Sequence, residues 1–262
     1  MACRRGQNAN CFVQALRQAR PDLIGLQEVT PRQFHFLQAQ LPEFTPLTVP
    51  VTDPTPEAAA VWQAKYARFG LPDIPSPYET VLFYRTDMFE LLATDHWWLS
   101  PTPERPFIGL GNSAPRVVLW AHLRPRALNE AFVIFNTHID HRCPQEMVAL
   151  CREKFTTFTA RAASQIFIGD LNFNPGDPNY ALLIQDGWRD AHEVTAAPEA
   201  DTFLYNLPDI PGGRIDHILY RGRGLEPRSW MRLASPDPDR RISDHDPVCV
   251  RFAVGEGESM YR

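Results

Sequence analysis

The chain has 262 residues, 44% of them hydrophobic and 22% charged, and a net charge of −5 at neutral pH. That length holds one large α/β domain or two small ones, and the composition is that of a folded chain rather than a disordered one. The negative balance argues against attachment to nucleic acid through an overall positive field, though not against a local basic groove; no apolar run reaches transmembrane length.

Residues 10–19 place Phe12, Leu16 and Ala19 on one face of a short amphipathic helix. "DLIGLQEV" (22–29) is a compact apolar strand ending in Gln27 and Glu28, and residues 30–40 read as a second helix. The Pro-rich stretches that follow, within 42–77, read as long loops or an insertion. "ETVLFYR" (79–85), "VVLWAHL" (117–123) and "AFVIFNTHID" (131–140) read as strands, and the aromatic "HWWLS" (96–100) reads as core. Residues 144–162 give the best helical pattern, with Met147, Cys151, Phe155, Phe158 and Ala162 at steps of three or four. "QIFIGD" is a strand, "DPNYALLIQD" a short helix, and "RIDHILYR" (214–221) and "DPVCVRFAV" (246–254) are late strands. Several strands follow one another without a helix between them. This predicts mixed sheets in layers with helices outside, in one domain over residues 1–262 with a tail from about 255.

Five scattered cysteines without a CxxC exclude a zinc knuckle or a disulfide framework and point to free thiols in a reducing, cytoplasmic setting. The start "MACRRGQNAN" is not a signal peptide.

Polar residues recur where apolar strands end: Glu28, His138, Asp170 with Asn172, Asp216, and Asp244 with His245. Strand ends on one side of a sheet are where such folds assemble sites from distant residues. Carboxylates with few thiols suit a hard cation, Mg²⁺ or Mn²⁺, rather than zinc. Phosphate chemistry needs such an ion against the charge on the non-bridging oxygens.

"LIGLQEV", "FNTHID", "FIGDLNFNP", "RIDHILY" and "SDHDPV", in this order, resemble the endonuclease/exonuclease/phosphatase superfamily over about residues 10–254. The resemblance implies a four-layer α/β (α+β) sandwich of two mixed β-sheets flanked by helices. It also implies a divalent-metal-dependent phosphoesterase that hydrolyses a phosphodiester or phosphomonoester by in-line attack of activated water; a monomer is expected. By position, Glu28 and Asp244 are implied to hold the metal and Asp170 to activate the water. Asn172 is implied to position the phosphate, Asp216 to pair with His245, and Glu79 to pair with His138. Nucleic acid is one admissible substrate, although the net charge does not indicate it.

Each residue has an ordinary use as well. Asp170 and Asn172 suit an Asx turn, Asp244 a helix N-cap, His245 a solvated loop and Glu79 an exposed strand end. Arg116, His141 and Arg142 read equally as site residues or as surface and capping residues, whereas His217 reads as packing. The family opens with a strand carrying an asparagine ahead of the "QE" motif. Only 27 residues precede Glu28 here, and Asn8 and Asn10 sit too close to the first helix to replace it. An interior strand is therefore expected to be absent, by truncation or by loss of part of the site. Loss would leave a non-catalytic binding or scaffold member of the same fold as the alternative, and a chain extended upstream is expected to be the more stable form.

Overall fold

In the computed structural model, residues 7–49, 78–106, 112, 115–204, 212–234 and 243–255 are described, with the backbone alone at 7–11 and 78–79. Helix α1 (Gln7–Ala19) turns Val13 and Leu16 inward and ends at Arg20, whose φ of 51° is left-handed. Three residues later begins β1 (Leu23–Val29). Helix α2 (Pro31–Gln40) starts on a capping box, in which the Thr30 side chain accepts from the Gln33 amide and the Gln33 side chain accepts from the Thr30 amide, with proline at the first position. Strands β2 (Phe44–Thr48) and β3 (Tyr78–Arg85) complete an antiparallel sheet of order β1-β3-β2.

The central sheet has six strands: β4 (Phe89–Trp98), β5 (Val117–Pro125), β6 (Phe132–His138), β7 (Ser164–Asp170), β8 (Arg189–Asp190) and β9 (Asp216–Arg221), in the order β4-β5-β6-β7-β9-β8. Only β6 and β7 run parallel. Their crossover carries α3 (Gln145–Thr157), while α4 (Pro178–Leu183) and α5 (Ala191–Thr195) lie between β7 and β9. Strands β10 (Leu225–Arg232) and β11 (Val248–Val254) form a separate antiparallel pair.

Three apolar clusters cement four layers. Phe155 of α3 and Leu183 of α4 pack with Phe135 and Phe167 on one face of the central sheet. Ile134, Leu119 and Tyr220 on its other face meet Leu82 and Tyr84 of β3 and half-buried Val250 and Phe252 of β11. Beyond β3, Val81 and Phe83 pack against Val13, Phe34 and Leu37 of α1 and α2. Asn136 joins the two middle layers: its amide donates to Leu26 O at 3.2 Å and Val81 O at 2.9 Å, and its Oδ1 accepts from Gln27 Nε2 at 2.7 Å. Among the described residues, no helix is long and apolar enough to cross a membrane.

The expected layers and class are present, with differences in detail. Among the described residues, the layer that holds β1 and β11 is in two antiparallel pieces, while the central sheet is mixed. The helix expected over 144–162 stops at Thr157, because Thr156, Thr157 and Thr159 turn their hydroxyls back onto carbonyls three residues earlier and compete with the ladder. Trp97 of "HWWLS" is core, stacked edge-on to Phe135 and Phe155.

Candidate active site

Three neighbouring strands end in one row. The register places His138 of β6 opposite Asp170 of β7, and Asp170 opposite Asp216 of β9. The row is held by backbone bonds just beyond it, Ile139 N to Asp170 O and Leu171 N to Ile215 O, both 2.9 Å. Thr202 Oγ1 accepts from the amides of Ile215 and Asp216 at 3.1 Å and fixes the end of β9. Gly169 makes the approach of β6 and β7 feasible: its φ is 149°, and a Cβ there would stand 2.0 Å from Thr137 O.

His245 reaches this row from the loop before β11. Its Nδ1 meets Asp216 Oδ2 at 2.8 Å, and its Nε2 faces Asp170 Oδ2 at 3.7 Å, while His138 Nε2 faces the same oxygen at 3.5 Å. Two imidazoles therefore flank one buried carboxylate. Burial opposes the charged form of His245, but the hydrogen bond and charge of Asp216, with Asp170 and Asp244, outweigh it and raise its pKa to about 10. Burial also holds Asp170 above the ordinary carboxylate range; His138 opposes this and Asp216 adds to it.

Asn172, with a left-handed φ of 56°, closes an Asx turn in which its amide donates to Asp170 Oδ1 at 3.0 Å. Its side-chain amide donates to Ile139 O at 2.8 Å. The turn and a place in the cleft are compatible, because the turn is what brings Asn172 beside Asp170. Glu28 also has a left-handed φ, of 54°; its carboxylate is 43% exposed and its Oε1 lies 4.0 Å from His138 Nδ1. Glu28 and half-buried Asp244 line one cavity together with Asp216 and His245.

Residues 6–245 match the Endonuclease/Exonuclease/phosphatase family. The chain belongs to that family. Its members are hydrolases of phosphoester bonds. No curated protein matches the sequence. The fold is similar to that of an endonuclease/exonuclease/phosphatase from Bacteroides vulgatus (TM-score 0.76, 22% identity, covering 95% of this chain and 90% of that one). It is also similar to a mannosyl-6-phosphatase from Bacteroides thetaiotaomicron (0.74, 23%, 95% and 91%) and to the human Nocturnin catalytic domain with a bound sulfate anion (0.69, 18%, 94% and 86%).

Of the residues assigned by family resemblance, the structure brings together His138, Asp170, Asn172, Asp216 and His245, with Glu28 at the edge and Asp244 adjacent to His245 in the chain. The side chain of Glu79 lies outside the described residues; its backbone belongs to β3. Sequence reasoning left Arg116 open and gave Asp140 no role. Arg116 is 3% exposed, donates to His138 Nδ1 at 2.7 Å and holds the fully buried Asp140 at 3.3 Å. Asp140 carries a signal in hindsight, since it sits two residues past His138 at the end of an apolar run; Arg116 carries none. His217 packs as expected, buried against Tyr180, and also bridges Asp190 Oδ2 at 3.0 Å and Phe173 O at 2.9 Å, tying β9 to the loop that bears Asn172. Arg142 is exposed and donates to His141 Nε2 at 3.1 Å.

Among the described residues three donor sets come into question for a cation, one of which, His192, Glu193 and Glu199, takes no part in the row. Ligand atoms of Asp170, Asp216 and His245 lie within 4.8 Å of one another. In that set Asp216 Oδ2 and His245 Nδ1 are already engaged with each other at 2.8 Å. Glu28 and Asp244, which line the same cavity, add oxygen donors of the kind a hard divalent ion takes.

Proposed function

We propose that this chain, acting as one catalytic domain, is a divalent-metal-dependent phosphoesterase whose attacking water is activated at Asp170. The observation that carries the reading is the row His138–Asp170–Asp216 on adjacent strands, closed by His245. A carboxylate buried between two imidazoles and held above its usual range is a suitable base, because its affinity for a proton is raised and its position is fixed.

In the proposed reaction a water oxygen bonds to phosphorus as the bond from phosphorus to the leaving oxygen breaks, and Asp170 takes the water's proton. His245, charged and oriented by Asp216, presents Nε2–H to the phosphate and can return a proton to the leaving oxygen. His138, held by Arg116, donates to a non-bridging oxygen, and Asn172 orients the phosphate. Glu28 and Asp244 would hold Mg²⁺ or Mn²⁺, which when bound would stabilise the charge that develops on the phosphate oxygens. The three described cysteines, Cys143, Cys151 and Cys249, are free, as suits a reducing compartment.

The test is hydrolysis by this chain and its Asp170→Asn variant, with Mg²⁺ or Mn²⁺ and with chelator. The panel holds labelled DNA and RNA, sphingomyelin, a sugar 6-phosphate and simple mono- and diesters. Chelator-sensitive turnover that falls at least about a hundredfold in a variant of unchanged melting temperature is expected. Retention of a tenth of the rate would move the base elsewhere, and silence across the panel would favour a binding protein of the same fold.

A further inference from the structure

The loop after β7 carries Asn172 between two apolar residues, Leu171 and Phe173, both buried in the cluster beneath α3 and α4. The backbone on each side of Asn172 is tied to β9, and the two ties flank Asp216. Ahead of Asn172, Leu171 N donates to Ile215 O at 2.9 Å, one rung past the pairing of Asp170 with Asp216. Behind it, His217 Nε2 meets Phe173 O at 2.9 Å. A carbonyl oxygen only accepts, so Nε2 carries the proton and donates. The second tie is therefore a side chain standing in for a backbone donor. It is needed because Asn172, at a φ of 56°, has already turned the chain away from an extended path.

The ring of His217 is itself well anchored. Adjacent residues of a strand face opposite ways, and His217, 1% exposed, lies on the α4 side of β9, with its ring centroid 5.0 Å from that of Tyr180. Its Nδ1 lies 3.0 Å from Asp190 Oδ2 and 3.3 Å from Arg214 Nη1, and Asp190 Oδ2 also takes Tyr180 Oη and Arg214 Nη1. Asn172, by contrast, sits in a left-handed conformation that costs a residue with a Cβ. Its own bonds, from its amide to Asp170 Oδ1 and from its side chain to Ile139 O, keep their geometry only while the next peptide stays in place.

We propose that His217 is a positioning residue for Asn172: its Nε2–H fixes the Phe173 carbonyl and so holds Asn172 in the turn beside Asp170. The consequence for turnover rests on the phosphoesterase reading, in which Asn172 orients the phosphate. The placement of Asn172 does not, and it is measured without an activity assay.

Two variants separate the nitrogens of the ring. In His217→Gln the terminal amide nitrogen stands about where Nε2 does and still donates to Phe173 O. In His217→Asn it stands about where Nδ1 does and reaches only the Asp190 side. Each loses a buried bond, so both are expected to melt below the parent chain. Deuterium exchange at the Asn172 backbone amide, read by NMR, is expected to be about tenfold faster in His217→Asn than in His217→Gln, the scale of one hydrogen bond. Where the parent turns over a phosphate ester, kcat is expected to fall about tenfold further in His217→Asn, with KM moving less than about threefold. In an Asn172→Ala background that difference is expected to vanish. A histidine that serves packing alone would lower both melting temperatures and separate neither exchange nor kcat, and equal exchange in the two variants would overturn the proposal. If neither variant folds, long-range ¹H–¹⁵N spectra of the parent decide: a proton on Nε2 supports the bond to Phe173 O, and a bare Nε2 overturns it. Exchange that separates the variants while turnover is absent or indifferent keeps the placement and strikes only the role of Asn172 in the proposed reaction.

Discussion

The ring of His245 is gripped at Nδ1 by Asp216, and its Nε2 faces Asp170, so its charge state is set by neighbours. With its pKa raised to about 10, the imidazolium's contribution to stability is fully present below the ordinary 6.5 and is lost as pH rises through about 10. If the charged ring serves turnover, the rate profile carries an alkaline limb from the same titration. Asp216→Asn keeps the shape and removes the charge, and the limb is expected to fall by roughly 1–3 pH units, the range one close opposite charge commands. An unmoved limb in kcat/KM against pH would assign it to another group. Gly169 is constrained as tightly by backbone as His245 is by charge. A methyl there meets Thr137 O and forces a φ of 149° on a residue with a Cβ. Gly169→Ala is expected to cost roughly 2–4 kcal/mol in urea unfolding and to lower turnover with it, since β6 and β7 must part just where His138 and Asp170 face each other.

Beneath the site, β8, β9 and α5 share a buried ionic network. Asp190 caps α5 and takes Tyr180 Oη at 2.9 Å, Arg214 Nη1 at 2.7 Å and His217 Nδ1 at 3.0 Å, while Arg214 also pairs with Glu193. Burial alone would raise the Asp190 pKa; the hydrogen bond and charge of His217, then those of Arg214, drive it below the usual range. A depressed carboxylate stabilises above its unfolded pKa, and that stability drains as pH falls towards the folded value. Asp190→Asn, which leaves the buried Arg214 guanidinium with only half-exposed Glu193 as a charged partner among the described residues, is expected to cost roughly 3–5 kcal/mol near neutrality and to flatten the loss of stability below about pH 4. Urea melts across that range would show both effects, and a parallel acid limb in the variant would place the titration elsewhere. None of this network was legible in the sequence, because it joins residues from 180 to 217 through space. The elements themselves divide by pattern. Strands β6, β7 and β9 were readable because their apolar runs are continuous and buried. Strands β2 and β10 were not, because Pro46 and Pro227 interrupt them. Proline is tolerated at both places because, among the described residues, β2 is an edge strand and β10 pairs on one side, with its register shifting at Pro227.

Across the whole molecule, the strand-end polar residues were readable because each sits where an apolar run stops, whereas their supports were not. The pairing of Arg116 with Asp140, and the clamp of Asn136 on Leu26 and Val81, connect strands that local pattern treats as independent. The same convergence concentrates acid: Glu28, Asp170, Asp216 and Asp244 meet at one end of a chain whose net charge is already −5. Such crowding disfavours the compact state, and a divalent ion that binds only the folded chain relieves it. At a hundredfold excess over its Kd the ion adds about 2.7 kcal/mol, which for a domain of this size raises the melting temperature by roughly 5–10 °C. We expect Mg²⁺ or Mn²⁺ to produce that shift and chelator to reverse it, with sodium at matched ionic strength giving little. In a Glu28→Gln, Asp244→Asn double variant the baseline is expected to rise slightly, from relieved repulsion, while the response to the ion disappears. A response of equal size in the double variant would show that the ion is held by other carboxylates, with Asp170 and Asp216 the next to be exchanged.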